Sequence, residues 1–253
     1  MQILLANAKV MFSPEKIKYK PLTEPMFQSI SNTIALEMSQ LGTEELAEQL
    51  DCGYKLAAEN WQRYQNFFES NKFPAIMAYN GQAYKHLQAA TLTKEALAFG
   101  QRHLWITCFL YGLLRPMDGI VPYRMEHSVR LKATNDKPVS QFWRDKLTDV
   151  LIHSVKSDDG ILIHLSTAEY EHLFDWNRVY SEIKVIQPLF YVRKNGELKI
   201  QAVWAKSCRG AMVRQILQQQ LTSINELATF GHAGFVYDNR LGEEAFPHFV
   251  REQ

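Results

Sequence analysis

The stretch Leu104-Trp-Ile-Thr-Cys-Phe-Leu-Tyr-Gly-Leu-Leu-Arg-Pro-Met-Asp-Gly-Ile-Val-Pro-Tyr-Arg-Met-Glu126 carries the first reading of the fold, because a long apolar run ends in two arginines set among turn residues. Leu104 to Leu110 reads as a central strand that feeds a loop. Pro116 and Pro122 fix φ and remove two backbone donors, and Gly119 permits a tight reversal, so the loop leaves the core stiffly. A stiff loop that carries guanidinium forks can hold a phosphate or carboxylate in one pose. Arg115 and Arg124 are therefore the first candidates for anion contact, with pairing to Asp118 or Glu126 as the structural alternative.

Working outward, Ile3 to Ala6 reads as a buried strand that delivers Lys9 beyond its carboxyl end, where α/β proteins commonly place ligand-facing groups. A loop with Pro14, Pro21 and Pro25 follows, then an amphipathic helix from Met26 to Met38, a helix capped by Thr43, and an aromatic-rich helix from Tyr54 to Phe68. Phe73 to Tyr79 resembles a short strand that enters the turn Asn80-Gly81, followed by a helix through Tyr84 and Leu87. Thr93 caps a helix that ends near Gly100; Gln141 to Val155 is helical, Ile161 to Leu165 is a strand, and Thr167 opens a short helix. Val185 to Val192 and Leu198 to Val203 alternate about Asn195-Gly196 as a hairpin, and Cys208 to Leu221 follows as a helix. Interleaved strands and helices without linker or repeat predict one compact α/β (mixed α+β) domain over residues 1–253. Its central mixed sheet is flanked by helices, and a helical insert spans about residues 26–70.

With 253 residues, 46 % of them hydrophobic, the chain can fill one large core. A net charge of +1 excludes histone-like basicity, so any nucleic-acid surface has to come from local clustering. One such run holds Arg178, Lys184, Arg193, Lys194, Lys199, Lys206, Arg209 and Arg214 against only Glu182 and Glu197. Three cysteines without Cys-x-x-Cys spacing fit a reducing cytoplasm and argue against a disulfide framework or a structural zinc site. No apolar run is long enough for a helical membrane span, so no membrane partner is expected.

Within the helical insert, Gly53-Tyr-Lys-Leu-Ala57 matches the second half of a helix-hairpin-helix pattern, in which a glycine turn and helix N-terminus offer amides to a DNA phosphate. Gly53 and Lys55 are the candidate DNA contacts, although Asp51 stands where the first glycine would be wanted. Lys206-Ser-Cys-Arg-Gly210 reads as the junction of hairpin and helix, which would put Lys206, Arg209 and free amides side by side as an anion site. Cys208 beside that helix start could have a lowered pKa, with an inert structural role as the commoner case. Eight histidines form no metal-ligand spacing, and no metal or cofactor is expected. Glu169, Glu126 and Lys206 are the candidate proton-transfer residues. Aromatic residues such as Tyr79, Tyr84 and Tyr123 offer flat surfaces that can stack on bases or fill the core.

In order along the chain, several pieces together resemble the YaaA family of peroxide-stress proteins over the full length. They are Lys9, Tyr79-Asn-Gly-Gln-Ala-Tyr84, Leu110-Tyr-Gly-Leu-Leu-Arg-Pro-Met-Asp with Pro122-Tyr-Arg, Gln141-Phe-Trp143, Leu165-Ser-Thr-Ala-Glu-Tyr170 and Ala205-Lys-Ser-Cys-Arg-Gly210. The resemblance implies a cytoplasmic protein of the hydrogen peroxide response that limits iron-driven damage, with a helix-hairpin-helix-like element, a basic cleft and binding to duplex DNA. It places the cleft around Lys9, Asn80, Tyr84, Arg115, Tyr123, Arg124, Lys206, Arg209 and Gly210. The chain departs from the family pattern at Ala6-Asn-Ala-Lys9 in place of Ser-Pro-Ala-Lys, and at Asn80-Gly-Gln-Ala-Tyr84 in place of Lys-Gly-Asp-Val-Tyr. His164 and Thr167 stand at usual Asn and Ser positions.

Two functions of different class follow from these residues. The first is a monomeric DNA-binding protein of the oxidative stress response, whose affinity falls steeply with salt. The second is an enzyme acting on a nucleobase, nucleotide or damaged nucleotide, with Glu169 or Glu126 as acid and base, Lys206 and Arg209 on the phosphate, and Tyr123 stacking.

Overall fold

The computed structural model describes residues 1–12 and 21–253; the Pro14 part of the first loop lies outside the described residues. The strands are β1 (Gln2–Ala6), β2 (Phe73–Pro74), β3 (Leu104–Cys108), β4 (Gly112–Leu114), β5 (Gly119–Ile120), β6 (Ile161–Leu165), β7 (Lys184–Ile186), β8 (Leu189–Lys194), β9 (Glu197–Lys199), β10 (Gly231–His232), β11 (Phe235–Glu243) and β12 (Phe246–Glu252). The α-helices are α1 (Gln28–Gln40), α2 (Thr43–Gln49), α3 (Tyr54–Gln65), α4 (Ala75–Ala78), α5 (Gln82–Leu87), α6 (Lys94–His103), α7 (Val139–Lys156), α8 (Ala168–Glu171), α9 (Trp176–Glu182) and α10 (Ala202–Gln219).

The main sheet has the order β4-β3-β1-β6-β7, in which β3, β1, β6 and β7 are parallel and β4 is an antiparallel edge. Strands buried on both faces need continuous apolar runs. Gln2-Ile-Leu-Leu-Ala6 and Leu104-Trp-Ile-Thr-Cys108 supply them, and every residue of both strands is buried. The helix α7 packs against β4 and β6, and α10 packs against β1, α5 and α6. Trp143, fully buried on α7, donates its indole N–H to the Phe109 carbonyl at 2.7 Å. A second mixed sheet, β10-β11-β12-β8-β9, packs through Phe190, Phe235 and Phe249, and β8 also contacts α10. The result is one compact α/β domain carrying two mixed sheets.

The apolar run of the opening stretch is not one strand. It reverses at Phe109–Tyr111, where Gly112 takes φ of +72°, and returns antiparallel with Ile106 opposite Leu114. Arg115 is thereby carried back to the amino ends of the parallel strands, beside Leu104.

Four further expectations are corrected. Phe73 to Tyr79 gives only a two-residue strand and then one helical turn, because Pro74 lacks the N–H that a ladder needs. Gly42, not Thr43, caps α2, and its N–H donates to the Glu45 carboxylate at 2.8 Å. Val185 and Ile186 pair with β6 in the main sheet, so only β8 and β9 flank Asn195-Gly196, both at positive φ. The alternation that reads as strand through Val203 ends at Lys199, and α10 begins at Ala202. Thr93 does cap α6, its hydroxyl accepting the Ala96 N–H at 3.1 Å.

Candidate functional site

At the carboxyl ends of β1 and β6 lies a cavity of about 260 Å³. Four segments wall it: Leu5–Val10 after β1, Gly81–Tyr84 at the start of α5, Leu165 to Tyr170 after β6, and Lys206 with Arg209 on α10. The carboxyl end of a parallel sheet is where open α/β folds bind ligands. Helix α10 can approach α5 this closely because Gly210 has no side chain: a Cβ there would stand 1.8 Å from the Ala83 carbonyl oxygen.

Lys9 sits between two carboxylates, 2.7 Å from Glu126 Oε2 and 3.0 Å from Glu169 Oε1. Desolvation works against its charge, but hydrogen bonds and attraction from the two glutamates outweigh it and hold its pKa above the ordinary value. Arg124 Nη2 lies 2.7 Å from Glu126 Oε1, in an ion pair that lacks hydrogen-bond geometry, and Arg124 Nε is buried without a partner among the described residues. Glu126 is sealed, with 8 % of its side chain exposed, whereas Glu169 is 34 % exposed and lines the cavity.

Arg209 is the distinctive group. Its guanidinium makes no hydrogen bond or ion pair with any of the described residues, yet burial is strong enough to lower its pKa, with Glu171 opposing at longer range. Guanidinium stays charged even so, and its partial exposure leaves the fork open to an anion entering the cavity. Lys206, one helical turn away and exposed, is likewise unpaired among the described residues. The rest of the basic run is mostly taken up: Arg178 pairs with Asp149, Lys184 with Glu244, Arg193 with Asp238 and Glu252, and Lys199 with Glu197. Arg214 caps the carbonyls of Leu87 and Gln88.

Several expected roles change. Arg115 is not in this cleft: it lines a wider groove of about 1070 Å³ at the amino end of the sheet. There it stacks 3.3 Å from the Trp105 ring centroid and donates to Gln2, the Leu104 carbonyl and Ser154 at 3.2–3.4 Å. Tyr123 is a core residue. Its hydroxyl accepts the Asn7 amide at 3.1 Å and shares a 2.9 Å hydrogen bond with Tyr79, and its ring packs edge-on to Tyr111. Tyr84 lines the cavity but donates its hydroxyl to the Ala6 carbonyl at 3.1 Å. Asn80 stands just outside, its N–H bound to the Val10 carbonyl at 2.8 Å. Lys206 to Gly210 lie inside α10 rather than at its start, so their amides are spent on the helix and only the side chains face a ligand. Burial pushes the Cys208 thiol up to about 12, the reverse of an activated thiol, and the Cys108 thiol to about 11.

Gln82 and Thr167 on the cavity wall, and the buried His164 and Ser166 on the same segment as Thr167, stood in or beside the family motifs but were not among the expected cleft residues. The rule that flagged Lys9, position just past a parallel strand, applies equally to Ser166 and Thr167. Ser166 Oγ and His164 Nδ1 are buried without partners among the described residues. His164 stacks on Trp176 with centroids 4.5 Å apart, its Nε2 lies 3.4 Å from Glu171, and burial lowers its pKa. No group of three or more His, Cys, Asp or Glu among the described residues could hold a metal ion.

Helices α2 and α3 pack against each other across a short turn. Asp51 takes φ of +43° in the turn, the left-handed conformation for which a glycine was wanted, and Gly53 caps α3 with no side-chain hydrogen bond. Lys55 is exposed on the first turn. From Thr43 to Gln65 the hairpin carries Glu44, Glu45, Glu48, Asp51 and Glu59 against Lys55 and Arg63, a surplus of three negative charges that opposes phosphate. Its far end is tied to the segment behind the cavity wall, since Tyr64 donates to the Arg124 carbonyl at 2.6 Å.

A family model described as peroxide stress protein YaaA matches residues 1–241. A UPF0246 protein of Bacteroides thetaiotaomicron is 40% identical over 246 residues, 96% of each chain. One of Porphyromonas gingivalis is 38% identical over 256 residues, the whole of both, and one of Legionella pneumophila 31% over 257 residues, 99% of each. With almost its full length matched by the family model and by these relatives, the chain belongs to the peroxide stress protein YaaA family.

Proposed function

We propose that this protein serves the peroxide response by binding an anionic component of nucleic acid, a nucleotide or a damaged nucleotide, in the cavity at the carboxyl ends of β1 and β6. The observation that carries the reading is Arg209: a desolvated guanidinium on the wall of a small cavity, with no acceptor among the described residues. A cavity of about 260 Å³ lies just below the usual range of small-ligand sites, roughly 300–1,000 Å³, which suits the phosphate end of a nucleotide better than a polymer. Glu169 is the proton-transfer group that can reach such a ligand, because it is half-buried on the wall while Glu126 is sealed between Lys9 and Arg124.

Duplex DNA is the second reading, favoured by the left-handed Asp51, the uncapped first turn of α3 and the contact of α3 with the Arg124 segment. The acidic surplus of the hairpin ranks it below the first. In either case a cytoplasmic protein would limit iron-driven damage through the nucleic-acid component it holds.

Titrating nucleotides and labelled duplexes, intact and abasic, against wild type, Arg209→Ala and Lys55→Ala across a salt series separates the two. The first reading expects saturable nucleotide binding lost in Arg209→Ala and kept in Lys55→Ala. Salt-steep duplex binding lost in Lys55→Ala, with no nucleotide binding, would replace it by the second.

A further inference from the structure

We infer that the cavity reads a terminal phosphate monoester, the dianionic end group of a nucleotide or of a nucleic-acid strand, and discriminates against the internal phosphodiester. The inference rests on the anion-binding reading above and specifies the group bound.

Charge is the first argument. Three cations line the cavity, Lys9, Lys206 and Arg209, against one carboxylate, Glu169. Lys9 and Glu169 satisfy each other at 3.0 Å, which leaves Lys206 and Arg209 as two uncompensated charges among the described residues. Glu126 and Arg124, just behind the wall, cancel as a pair. Glu171 acts on Arg209 from a distance, but it lines a separate surface groove with Arg144 and His172 and lies against His164. A phosphate monoester carries roughly −1.5 to −2 at neutral pH. An internal diester carries only about −1 and would leave one of the two charges unmatched.

Geometry is the second. Lys206 and Arg209 are three residues apart on α10, so they project from one face of the helix toward the same volume. A guanidinium fork takes two oxygens of a phosphate side by side, and an ammonium takes one more as a point charge. Only a monoester offers three non-bridging oxygens; a diester offers two. The third argument is enclosure. Segments after β1, at the start of α5, after β6 and on α10 surround the space, and α5 and α10 are in backbone contact through Gly210. An end group needs one entrance, whereas a strand passing through needs two.

The test is calorimetric titration of the full chain with each of the four common ribonucleoside 5′-monophosphates, the matching nucleosides, and the methyl esters of the nucleotides. Duplexes of one sequence, with and without 5′-phosphates, form the second arm. Arg209→Gln and Lys206→Ala are run in parallel, with melting curves to show that both variants fold. The expected result is binding of a monophosphate at least tenfold tighter than its methyl ester and its nucleoside, with at least a tenfold loss in Arg209→Gln. A free monophosphate that suffices identifies the monomer pool as the source. Discrimination seen only between phosphorylated and unphosphorylated duplexes identifies strand ends, and either result supports the shared chemistry. Equal affinity for monophosphate and methyl ester, abolished by Arg209→Gln, overturns the monoester inference and leaves the anion site standing. No binding of any anion, or binding indifferent to both variants, overturns both.

Discussion

Two arginines at opposite ends of one sheet behave in opposite ways. Arg115, at the amino ends of β3 and β1, spends its guanidinium on Gln2, the Leu104 carbonyl, Ser154 and the face of Trp105. Arg209, beside the carboxyl ends of β1 and β6, spends nothing on its neighbours among the described residues. Both are desolvated enough for their pKa to fall, Arg115 to about 10. Burial alone therefore does not distinguish an arginine that holds the fold from one that waits for a ligand; the acceptors do.

The largest expected effect tests the structural half of that contrast. Arg115→Ala removes hydrogen bonds to Gln2, the Leu104 carbonyl and Ser154 and uncovers the Trp105 ring, although Ser154 still receives the Trp105 N–H and donates to Gln2, so urea denaturation should show a loss of about 2 kcal/mol with nucleotide affinity unchanged. An affinity loss without a stability loss would merge the two ends again. Next comes Gly210→Ala, which drives a methyl into the Ala83 carbonyl and pushes α10 off α5. It should cost about 2 kcal/mol, lower the melting temperature by roughly 4–8 °C, and weaken binding by widening the cavity.

Tyr123→Phe should cost about 1–2 kcal/mol, because the Tyr79 hydroxyl and the Asn7 amide lose a shared partner inside the core. Unchanged nucleotide affinity in Tyr123→Leu, which removes the ring itself, would confirm a structural ring; a loss of affinity there with the fold intact would restore the stacking role. A smaller effect concerns pH. The folded pKa of His164 is depressed below 6.5 by burial, so the unfolded chain binds the proton more readily, and stability present above pH 6.5 is lost as pH falls through the folded value. Stability measured from pH 7 to 5 should decline, and His164→Gln should flatten part of that decline, with His232 and His248 contributing in the same direction. The smallest change in stability belongs to Arg209→Ala, within about 0.5 kcal/mol of wild type, since no partner is orphaned.

Much of the sheet was legible because β1, β3 and β6 are apolar runs that only a doubly covered parallel sheet can use. The hairpin about Asn195-Gly196 and the Thr93 cap carried local chemistry that no tertiary contact overrides. The reversal after β3 was not legible: its turn, Phe109-Leu-Tyr111, is built from large buried side chains, and Gly112 was the sole cue. Arg115 was misplaced for that reason alone, since every antiparallel return exchanges one end of a sheet for the other. The start of α10 was hidden by the alternation of Leu198-Lys-Ile-Gln-Ala202, which runs into the helix, and Trp204 just beyond is fixed by Arg251 stacking 4.4 Å above it from a distant strand. Site residues beyond parallel strands were findable by position. The freedom of Arg209 was not, because it depends on which acids the fold gives to Arg178, Lys184, Arg193 and Lys199.

The central place of β1 also sets the order in which the protein can be made. Its neighbours are β3 on one side and β6 on the other, and Ile3 does not meet Leu104 until about a hundred further residues have been synthesised. At roughly 5–20 residues per second this apolar segment waits for some 5–20 s without a ladder partner, and longer for the second. The strand that delivers Lys9 to the cleft is thus, during translation, an unpaired sticky edge. Slowing the ribosome between these strands should raise aggregation without altering any contact in the finished protein.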